Sequence, residues 1–226
     1  MPPELTRQLL WAALLGGYVV GVLLLTWLPY RWMVARGVEP IRAVYYNRKI
    51  VHMAAGGIAS LVVPLVFTDF WLPLIAGLAL TALTAAAHLL GWRMYWFQTP
   101  ENANDVKFAL MWALSVALLW GLLGDPWLAI LPSLYLAFGD GVTGIVRNAL
   151  IRRRSKHPIG NLFMLVVCLP LGWSIGAQAM PDMALWGALS AVAATLVERY
   201  EFGPIDDNVL ITLAASGVLL LGAALG

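Results

Sequence analysis

The chain has 226 residues, of which 61% are apolar and only 12% charged, and its mean hydropathy is +0.80. Because a soluble domain has about 25% charged residues, this composition excludes a soluble globular protein and indicates a polytopic membrane protein. The formal net charge of +2 does not by itself show what kind of molecule the protein binds. The single cysteine, Cys168, lies in an apolar run and does not indicate a redox compartment.

Apolar runs long enough to cross a bilayer core of about 30 Å recur along the chain. They predict eight transmembrane helices near residues 8–32, 49–68, 71–90, 106–123, 126–148, 161–178, 183–199 and 208–225. The first run is too long for a signal-peptide core and has no small-residue cleavage site, so we expect it to be a transmembrane helix. The predicted fold class is therefore all-α, with a single transmembrane domain over residues 1–226.

The basic residues lie on one side of this topology. Every Lys and Arg except Arg7, of fourteen in total, falls in or beside the connections between helices 1 and 2, 3 and 4, 5 and 6, and 7 and 8. Because cytoplasmic loops carry an excess of Lys and Arg, we expect these connections in the cytoplasm and both termini outside. Arg152, Arg153 and Arg154 are expected to act as a topology signal or to contact anionic headgroups.

An aspartate late in the fifth predicted span needs a partner. Asp140 follows SLYLAF and has Gly139 and Gly141 on either side. An ionised carboxylate at membrane depth costs at least a few kcal/mol, so we expect it to face a cavity and a partner. The glycines would let the backbone leave the helical path or approach a ligand closely. We interpret the triplet as part of a functional site, although GDG also occurs in ordinary turns.

Two basic segments begin predicted spans. In NRKIVH, helical spacing puts His52 on the same face as Arg48 and Lys49. The simpler alternative is a basic membrane anchor with an interfacial histidine. We favour a functional cluster because His52 lies one turn deeper than the two bases.

The segment KHPIGN precedes the sixth predicted span. Pro158 and Gly160 oppose a regular helix, and Asn161 is a good N-cap. Free backbone N–H groups beside Lys156 would then form a cradle for a phosphate. A capped helix start with a topological lysine is the structural alternative.

Acidic residues cluster between the last two spans, at Glu198, Glu201, Asp206 and Asp207, followed by Asn208. Helix capping explains one of these acids but not all of them. Protein carboxylates and substrate phosphates together usually hold Mg²⁺. We therefore expect Glu198 and Asp207 to join Asp140 around Mg²⁺ or another divalent cation.

All these polar residues map to the cytoplasmic ends of predicted helices, so one site is expected to contain them. Bases, carboxylates and a loosened backbone suit a metal-bound polyphosphate, and phosphoryl transfer requires mainly positioning and charge neutralisation. We predict catalytic roles for Asp140, Lys156 and His52. The predicted metal ligands are Asp140, Glu198 and Asp207, and the predicted nucleotide-binding residues are Arg48, Lys49, Gly139, Gly141, Gly160, Asn161 and Asn208.

The motifs R-K-x-x-H from Arg48, G-D at Asp140, K-x-x-x-G from Lys156, and E with a later D-N at Glu198 and Asp207 occur in this order. Together they resemble the dolichol kinase and phytol kinase family of integral membrane lipid kinases, which is related to the cytidylyltransferases that make CDP-diacylglycerol. The resemblance covers roughly residues 45–213.

This resemblance implies phosphorylation of a long-chain isoprenoid or lipid alcohol by CTP or another nucleoside triphosphate, with a divalent cation. The acceptor would be of the polyprenol, phytol, geranylgeraniol or diacylglycerol type. Asn161 stands where the family usually has Ser or Thr, and Arg147 where it usually has Gly. The expected partners are the lipid alcohol, the nucleotide and membrane lipids. Nucleic acid is not an expected partner, and the choice between a monomer and a homo-oligomer is left open.

Two other functions compete with a kinase. A nucleotidyltransferase would join CMP to a lipid phosphate at the same site. A transporter or flippase would bind a phosphorylated lipid without chemistry, but the sequence has no detectable inverted repeat and few polar groups in the outer half. A soluble P-loop kinase is excluded, because G-x-x-x-x-G-K-[ST] is absent from the sequence.

Overall fold

The computed structural model describes residues 3–101, 103–151, 156–180, 182–203 and 205–225. These residues form eight helices and contain no β-strand. In chain order the helices are α1 (Pro3–Ala35), α2 (Pro40–Val66), α3 (Trp71–Leu89), α4 (Asn104–Leu123), α5 (Pro126–Ile151), α6 (Pro158–Ala179), α7 (Met183–Val197) and α8 (Asp207–Leu225). The role predicted for Arg152, Arg153 and Arg154 lies outside the described residues.

The protein is an all-α polytopic membrane protein, which confirms the predicted fold class. Seven of the eight helices are long and apolar enough to cross a membrane. The exception, α7, has 15 residues and is therefore about 22 Å long, shorter than a bilayer core of roughly 30 Å. Helices α1 and α2 begin at Pro3 and Pro40, earlier than predicted, because each helix also includes polar residues that precede its apolar run.

Helix α5 is the inner helix of the bundle. Every residue from Leu128 to Ala137 is buried. The Tyr135 hydroxyl is hydrogen-bonded to the Gly187 carbonyl oxygen at 2.9 Å and to Ser190 Oγ at 3.0 Å, so it joins α5 to α7. Because α5 is enclosed by other helices, Asp140 faces protein and not lipid.

Each of two helices contains a short π-helical segment, His52–Gly57 in α2 and Tyr135–Gly139 in α5. The two segments pack against each other, and Gly57 makes this possible because a Cβ there would collide with the Phe138 ring. Such π-bulges are frequent at functional sites. The α5 segment ends directly before Asp140, and α5 continues to Ile151. Of the two possibilities expected for the flanking glycines, a break in the helix is not observed, and close approach to a ligand stays a prediction.

Consecutive helices alternate in direction, so the ends of α1, α3, α5 and α7 meet the beginnings of α2, α4, α6 and α8. We call this part of the molecule the polar end. Contacts that define it include Thr26 with Asn47, His88 with Asp105, Lys107 with Asp206, and Arg147 with Glu198. At the opposite end, Gln8 near the start of α1 donates to Thr68 after α2 at 2.7 Å.

Candidate functional site

Asp140 and Lys49 form a buried ion pair between α5 and α2. Lys49 Nζ donates to Asp140 Oδ2 at 2.6 Å, and the ammonium nitrogen lies 5.5 Å from the centroid of the Tyr45 ring. Gly144, one turn after Asp140, makes room for this arrangement, because a Cβ there would collide with Lys49 and Tyr45. The prediction that Asp140 has a partner inside the protein is confirmed.

His52 is buried beside the same carboxylate. Its ring stacks on Phe108 of α4, with centroids 4.0 Å apart, and its Nδ1 lies 3.8 Å from Asp140 Oδ2. This distance exceeds hydrogen-bonding range, and within the described residues Nδ1 has no hydrogen-bond partner. A buried polar atom that lacks a partner is costly, so a hydrogen bond from a ligand or from a water molecule to this nitrogen would relieve that cost.

Arg147 organises the second half of the polar cluster. Its guanidinium donates to both oxygens of Glu198, from Nη1 to Oε1 at 2.6 Å and from Nη2 to Oε2 at 2.7 Å. It also donates to Asn161 Oδ1 at 2.8 Å and to the His157 carbonyl oxygen at 3.0 Å. Arg147 therefore joins α5 to the start of α6 and the end of α7, and its pairing with Glu198 has the strong bidentate geometry.

Lys156 contacts acidic groups around the start of α8. Its Nζ lies 3.0 Å from Glu201 Oε1 and 3.2 Å from Asp207 Oδ2, and it donates to the Glu198 carbonyl oxygen at 3.1 Å. Burial acts to lower the pKa of Lys156, but the negative charges of Asp207 and Glu198 outweigh it and hold the pKa above its ordinary value. Lys156 is thus a stably charged cation whose side chain is still partly exposed.

Asp140, Glu198 and Asp207 form what we call the acidic trio. One oxygen from each carboxylate lies within 4.8 Å of the others, and Asp140 and Glu198 are buried. Since Mg²⁺ binds oxygen at about 2.1 Å with octahedral geometry, its ligand atoms lie roughly 3–4 Å apart. The trio would therefore have to close slightly, by side-chain rotation, to hold such an ion. Both oxygens of Glu198 accept from Arg147, and those of Asp207 accept from Lys156 and from the Asn208 N–H, so a metal at the trio would share or displace these contacts.

Asn208 and Arg48 lie at the polar end, as predicted. Asn208 is buried in the first turn of α8, where its Nδ2 is 3.4 Å from Asp206 Oδ2. Its Oδ1 has no partner in the part of the chain that the structure describes. Arg48 borders an apolar cavity between α1, α2, α3 and α4, whose wall also includes His52.

The start of α6 differs from the prediction. The helix begins at Pro158, and His157 is its N-cap, with Nδ1 accepting from the Ile159 N–H at 3.2 Å. The Gly160 N–H donates to the His157 carbonyl oxygen at 3.2 Å. The expectation that Asn161 caps the helix beside free N–H groups is wrong, because proline at the first helical position starts the helix earlier and the next two N–H groups already have partners.

Asn161 has a different position from the one predicted. Its Nδ2 donates to the Thr195 carbonyl oxygen at 2.6 Å and to Glu198 Oε2 at 3.2 Å. Because Arg147 donates to the Asn161 oxygen, the amide is held on both sides. Asn161 therefore connects α6 to α7 and orients Glu198, and contact with a nucleotide stays a prediction.

The glycines around the site permit close packing of helices. An added Cβ at Gly139 would collide with side chains of α6, one at Gly141 with a side chain of α2, and one at Gly160 with side chains of α5. Larger residues would move α5 away from both neighbours and from the ion pairs that connect them. The structure thus gives these glycines a packing role, and their predicted contact with a nucleotide stays a prediction.

Arg147 is the main residue of the cluster for which the sequence analysis predicts no role. A signal for it exists, because Asp140, Thr143, Gly144 and Arg147 are spaced at intervals of three and four residues. This spacing marks one face of a helix, and all four residues are buried. A stripe of polar and small residues in an apolar span identifies the face of α5 that meets α2, α6 and α7.

Comparisons of the chain with protein-family models, with curated proteins and with solved structures found no match. The inference about function consequently depends on the residues, their geometry and their charge.

Proposed function

We propose that this protein is a membrane lipid-alcohol kinase. It transfers the γ-phosphoryl group of a nucleoside triphosphate, CTP by preference, to the hydroxyl group of a lipid alcohol. The proposal depends mainly on one observation: the acidic trio with its lysines lies beside an apolar cavity, and His52 belongs to the wall of that cavity. A triphosphate and a hydrocarbon chain need opposite environments, and a lipid kinase must bring the two together.

The charges of the cluster suit a metal-bound triphosphate. Asp140 and Asp207 would hold the divalent cation, with Glu198 completing the set, and the cation would neutralise phosphate charge when bound. Lys49 and Lys156 flank the trio and would bind phosphate oxygens. The Asn208 Oδ1 without a partner among the described residues would accept from the nucleotide or from water.

The transfer step uses few protein groups. The alcohol oxygen attacks the γ-phosphorus, a new O–P bond forms, and the bond from the γ-phosphorus to the β,γ-bridging oxygen breaks to release the nucleoside diphosphate. The hydroxyl proton passes to Asp140, and His52 Nδ1, 3.8 Å from Asp140 Oδ2, positions the hydroxyl or relays the proton. The remaining contribution is positioning and charge neutralisation.

The sidedness of the reaction follows from the distribution of bases. Since Lys and Arg are concentrated in the connections at the polar end, and such residues favour cytoplasmic loops, we propose that this end faces the cytoplasm. Nucleoside triphosphates would enter from water past the partly exposed Lys156. The preference for CTP rests on the resemblance of the motifs alone.

Position-specific labelling tests this proposal. Purified protein in lipid nanodiscs is incubated with lipid alcohols, a divalent cation and CTP labelled at either the α- or the γ-phosphorus. We expect the lipid to acquire label from the γ-position only, and Asp140→Asn to abolish the transfer in a protein that remains folded. Label from the α-position would instead identify a nucleotidyltransferase. Asp69→Asn is the control, because Asp69 lies at the opposite end, where its Oδ1 accepts from the Trp71 N–H at 3.0 Å.

A further inference from the structure

Three exposed apolar side chains lie together on the connection between α7 and α8. Tyr200, Phe202 and Ile205 are 48%, 61% and 42% exposed, and we call these three residues the apolar turn. The Tyr200 and Phe202 rings are nearly parallel, with an angle of 6° between their planes and 6.2 Å between their centroids. Two backbone hydrogen bonds, of 2.8 and 3.1 Å, join Phe202 to Ile205 and close the turn. The backbone therefore has a defined shape, although its apolar side chains are exposed.

The exposed side of α7 continues into the apolar turn. Leu185, Leu189 and Leu196 are exposed, and intervals of four and seven residues put them on one side of the helix. Tyr200 follows Leu196 by four residues, and its N–H still donates to the Val197 carbonyl oxygen at 3.0 Å. The chain thus makes one more turn before it becomes extended, and Tyr200 extends the row of leucines. Since exposed leucines on a membrane-spanning bundle face lipid, the apolar turn is continuous with the lipid-facing surface.

Helix α7 ends nearer the bilayer centre than the start of its neighbour α6. The Asn161 Nδ2 donates to the Thr195 carbonyl oxygen at 2.6 Å, so the end of α7 is level with Asn161. Because Asn161 is the fourth residue of α6, this level lies about 5 Å deeper than Pro158. Leu162 and Phe163, next to Asn161 on α6, are exposed, so the outer surface at this level is apolar. The residues after α7 therefore lie at the boundary between the hydrocarbon core and the headgroups.

The length of α7 agrees with this depth. Its 15 residues extend about 22 Å, roughly 8 Å less than the thickness of a bilayer core. Tyr200 comes three residues after Val197, and three residues of chain span at most about 10 Å. A turn that lies in the membrane interface would thus complete the crossing that the helix alone leaves short.

Glu201 connects the apolar turn to the polar cluster. Side chains two residues apart lie on one side of an extended chain, as the Tyr200 and Phe202 rings do, and the side chain between them faces the other side. The Glu201 Oε1 lies 3.0 Å from Lys156 Nζ, which is 3.2 Å from Asp207 Oδ2 of the acidic trio. One side of this segment therefore contacts the candidate site, while the other side is exposed and apolar.

We propose that the apolar turn inserts into the bilayer interface at the polar end, and that this anchor holds Glu201 against Lys156. The partner of the turn is the lipid surface itself: its aromatic and aliphatic side chains lie at the boundary of the core, where amphipathic rings are favoured. The Arg199 Cζ is 5.8 Å from the centroid of the Tyr200 ring, and its long side chain reaches the headgroup phosphates. The insertion does not depend on the proposed phosphoryl transfer.

Spin labels measure the depth of the turn in the full-length protein in lipid nanodiscs. The single cysteine, Cys168, is buried, and Cys168→Ala gives a background in which one new cysteine carries a nitroxide. Phe202→Cys tests the turn, Leu196→Cys is the lipid-facing reference, and Glu101→Cys is the aqueous one, because Glu101 is exposed in the connection between α3 and α4. Relaxation by molecular oxygen reports lipid, and relaxation by a water-soluble nickel chelate reports water. We expect the oxygen-to-nickel ratio at Phe202 to be several times higher than at Glu101 and closer to that at Leu196.

Hydrogen exchange measures the anchoring without any label. In nanodiscs, Phe202→Ser should raise the exchange rate of the amides in residues 198–207 by roughly fivefold or more, because the turn loses its hold on the bilayer. Trp92→Ser is the matched control, since Trp92 is also an exposed aromatic residue at the polar end, and it should leave this segment within about twofold of the parent protein.

Three results would overturn the proposal. A label at Phe202 that the nickel chelate reaches as readily as one at Glu101 would place the turn in water. A label that neither reagent reaches would show that protein, such as a second copy of the chain, covers the turn. Equal exchange in Phe202→Ser and Trp92→Ser would show that the turn does not anchor the segment. Absence of phosphoryl transfer would remove the kinase and leave the insertion as it stands.

Discussion

Lys49 and Asp140 are joined across the interface of α2 and α5 by a contact of 2.6 Å, and both side chains are buried. Each charge compensates the other where water is excluded, and a buried charge without its partner is expensive. The pair therefore holds the catalytic candidate Asp140 in place and at the same time couples site geometry to the stability of the protein.

We expect Lys49→Met and Asp140→Asn each to lower the free energy of unfolding by about 3–5 kcal/mol, because each leaves one buried polar group without its partner. The double variant should lose less than the sum, with a coupling energy of about 1–3 kcal/mol. Reversible unfolding of the four proteins in detergent gives both quantities. Strict additivity would mean that the two charges do not stabilise each other.

Arg147→Lys should be strongly destabilising although it preserves the charge. Lysine cannot form the two parallel bonds to Glu198 and at the same time reach Asn161 and the His157 carbonyl group. We expect a loss of about 2–4 kcal/mol in the free energy of unfolding. Arg199→Lys is the control, because Arg199 is exposed beside Glu198. Equal stability of the two variants would show that the bidentate pair is dispensable.

Lys156→Met should act on nucleotide binding more than on stability. Its side chain is 32% exposed, and ion pairs of this kind contribute only about 0–1 kcal/mol. We expect the KM for the nucleoside triphosphate to rise by roughly tenfold, an effect that salt reduces. Lys107→Met is a matched control, because its side chain is 33% exposed and pairs with Asp206 at 3.1 Å. Steady-state kinetics at two ionic strengths make the comparison. Equal KM values for the two variants would contradict a phosphate-binding role for Lys156.

Divalent cations should stabilise the folded protein. A ligand present at 100 times its Kd contributes about 2.7 kcal/mol, so the Tm should rise on addition of Mg²⁺ or Mn²⁺ and fall again with a chelator. The rise should be lost in Asp207→Asn and retained in Asp69→Asn. Should the two variants respond alike, the acidic trio would not be the site of stabilisation.

The sequence predicted the fold class and the meeting of the polar residues because both depend on local signals. Hydropathy reports the length of an apolar run, and the position of a charge within the run gives its depth. The convergence of Asp140, Lys49, Lys156 and Asp207 follows once the helices alternate in direction. These residues meet in the structure as expected.

The parts that could not be predicted depend on contacts between distant segments. The sequence does not indicate that Arg147 pairs with Glu198, 51 residues later, or that Gly139 and Gly160 pack against neighbouring helices. At the start of α6, Asn161 and His157 are both acceptable caps, and Pro158 favours the earlier start. The apolar cavity is formed by four helices, so no single stretch of sequence reveals it.

Electron–nuclear double resonance on bound Mn²⁺ tests most directly whether the acidic trio and a triphosphate share one cation. The protein is loaded with Mn²⁺ and a non-hydrolysable β,γ-methylene analogue of CTP. We expect a tightly bound Mn²⁺ with ³¹P coupling in the parent protein and in Asp69→Asn, and loss of both in Asp140→Asn or Asp207→Asn. A Mn²⁺ signal without ³¹P coupling, or one that survives replacement of both aspartates, would contradict a metal–nucleotide site at the polar end.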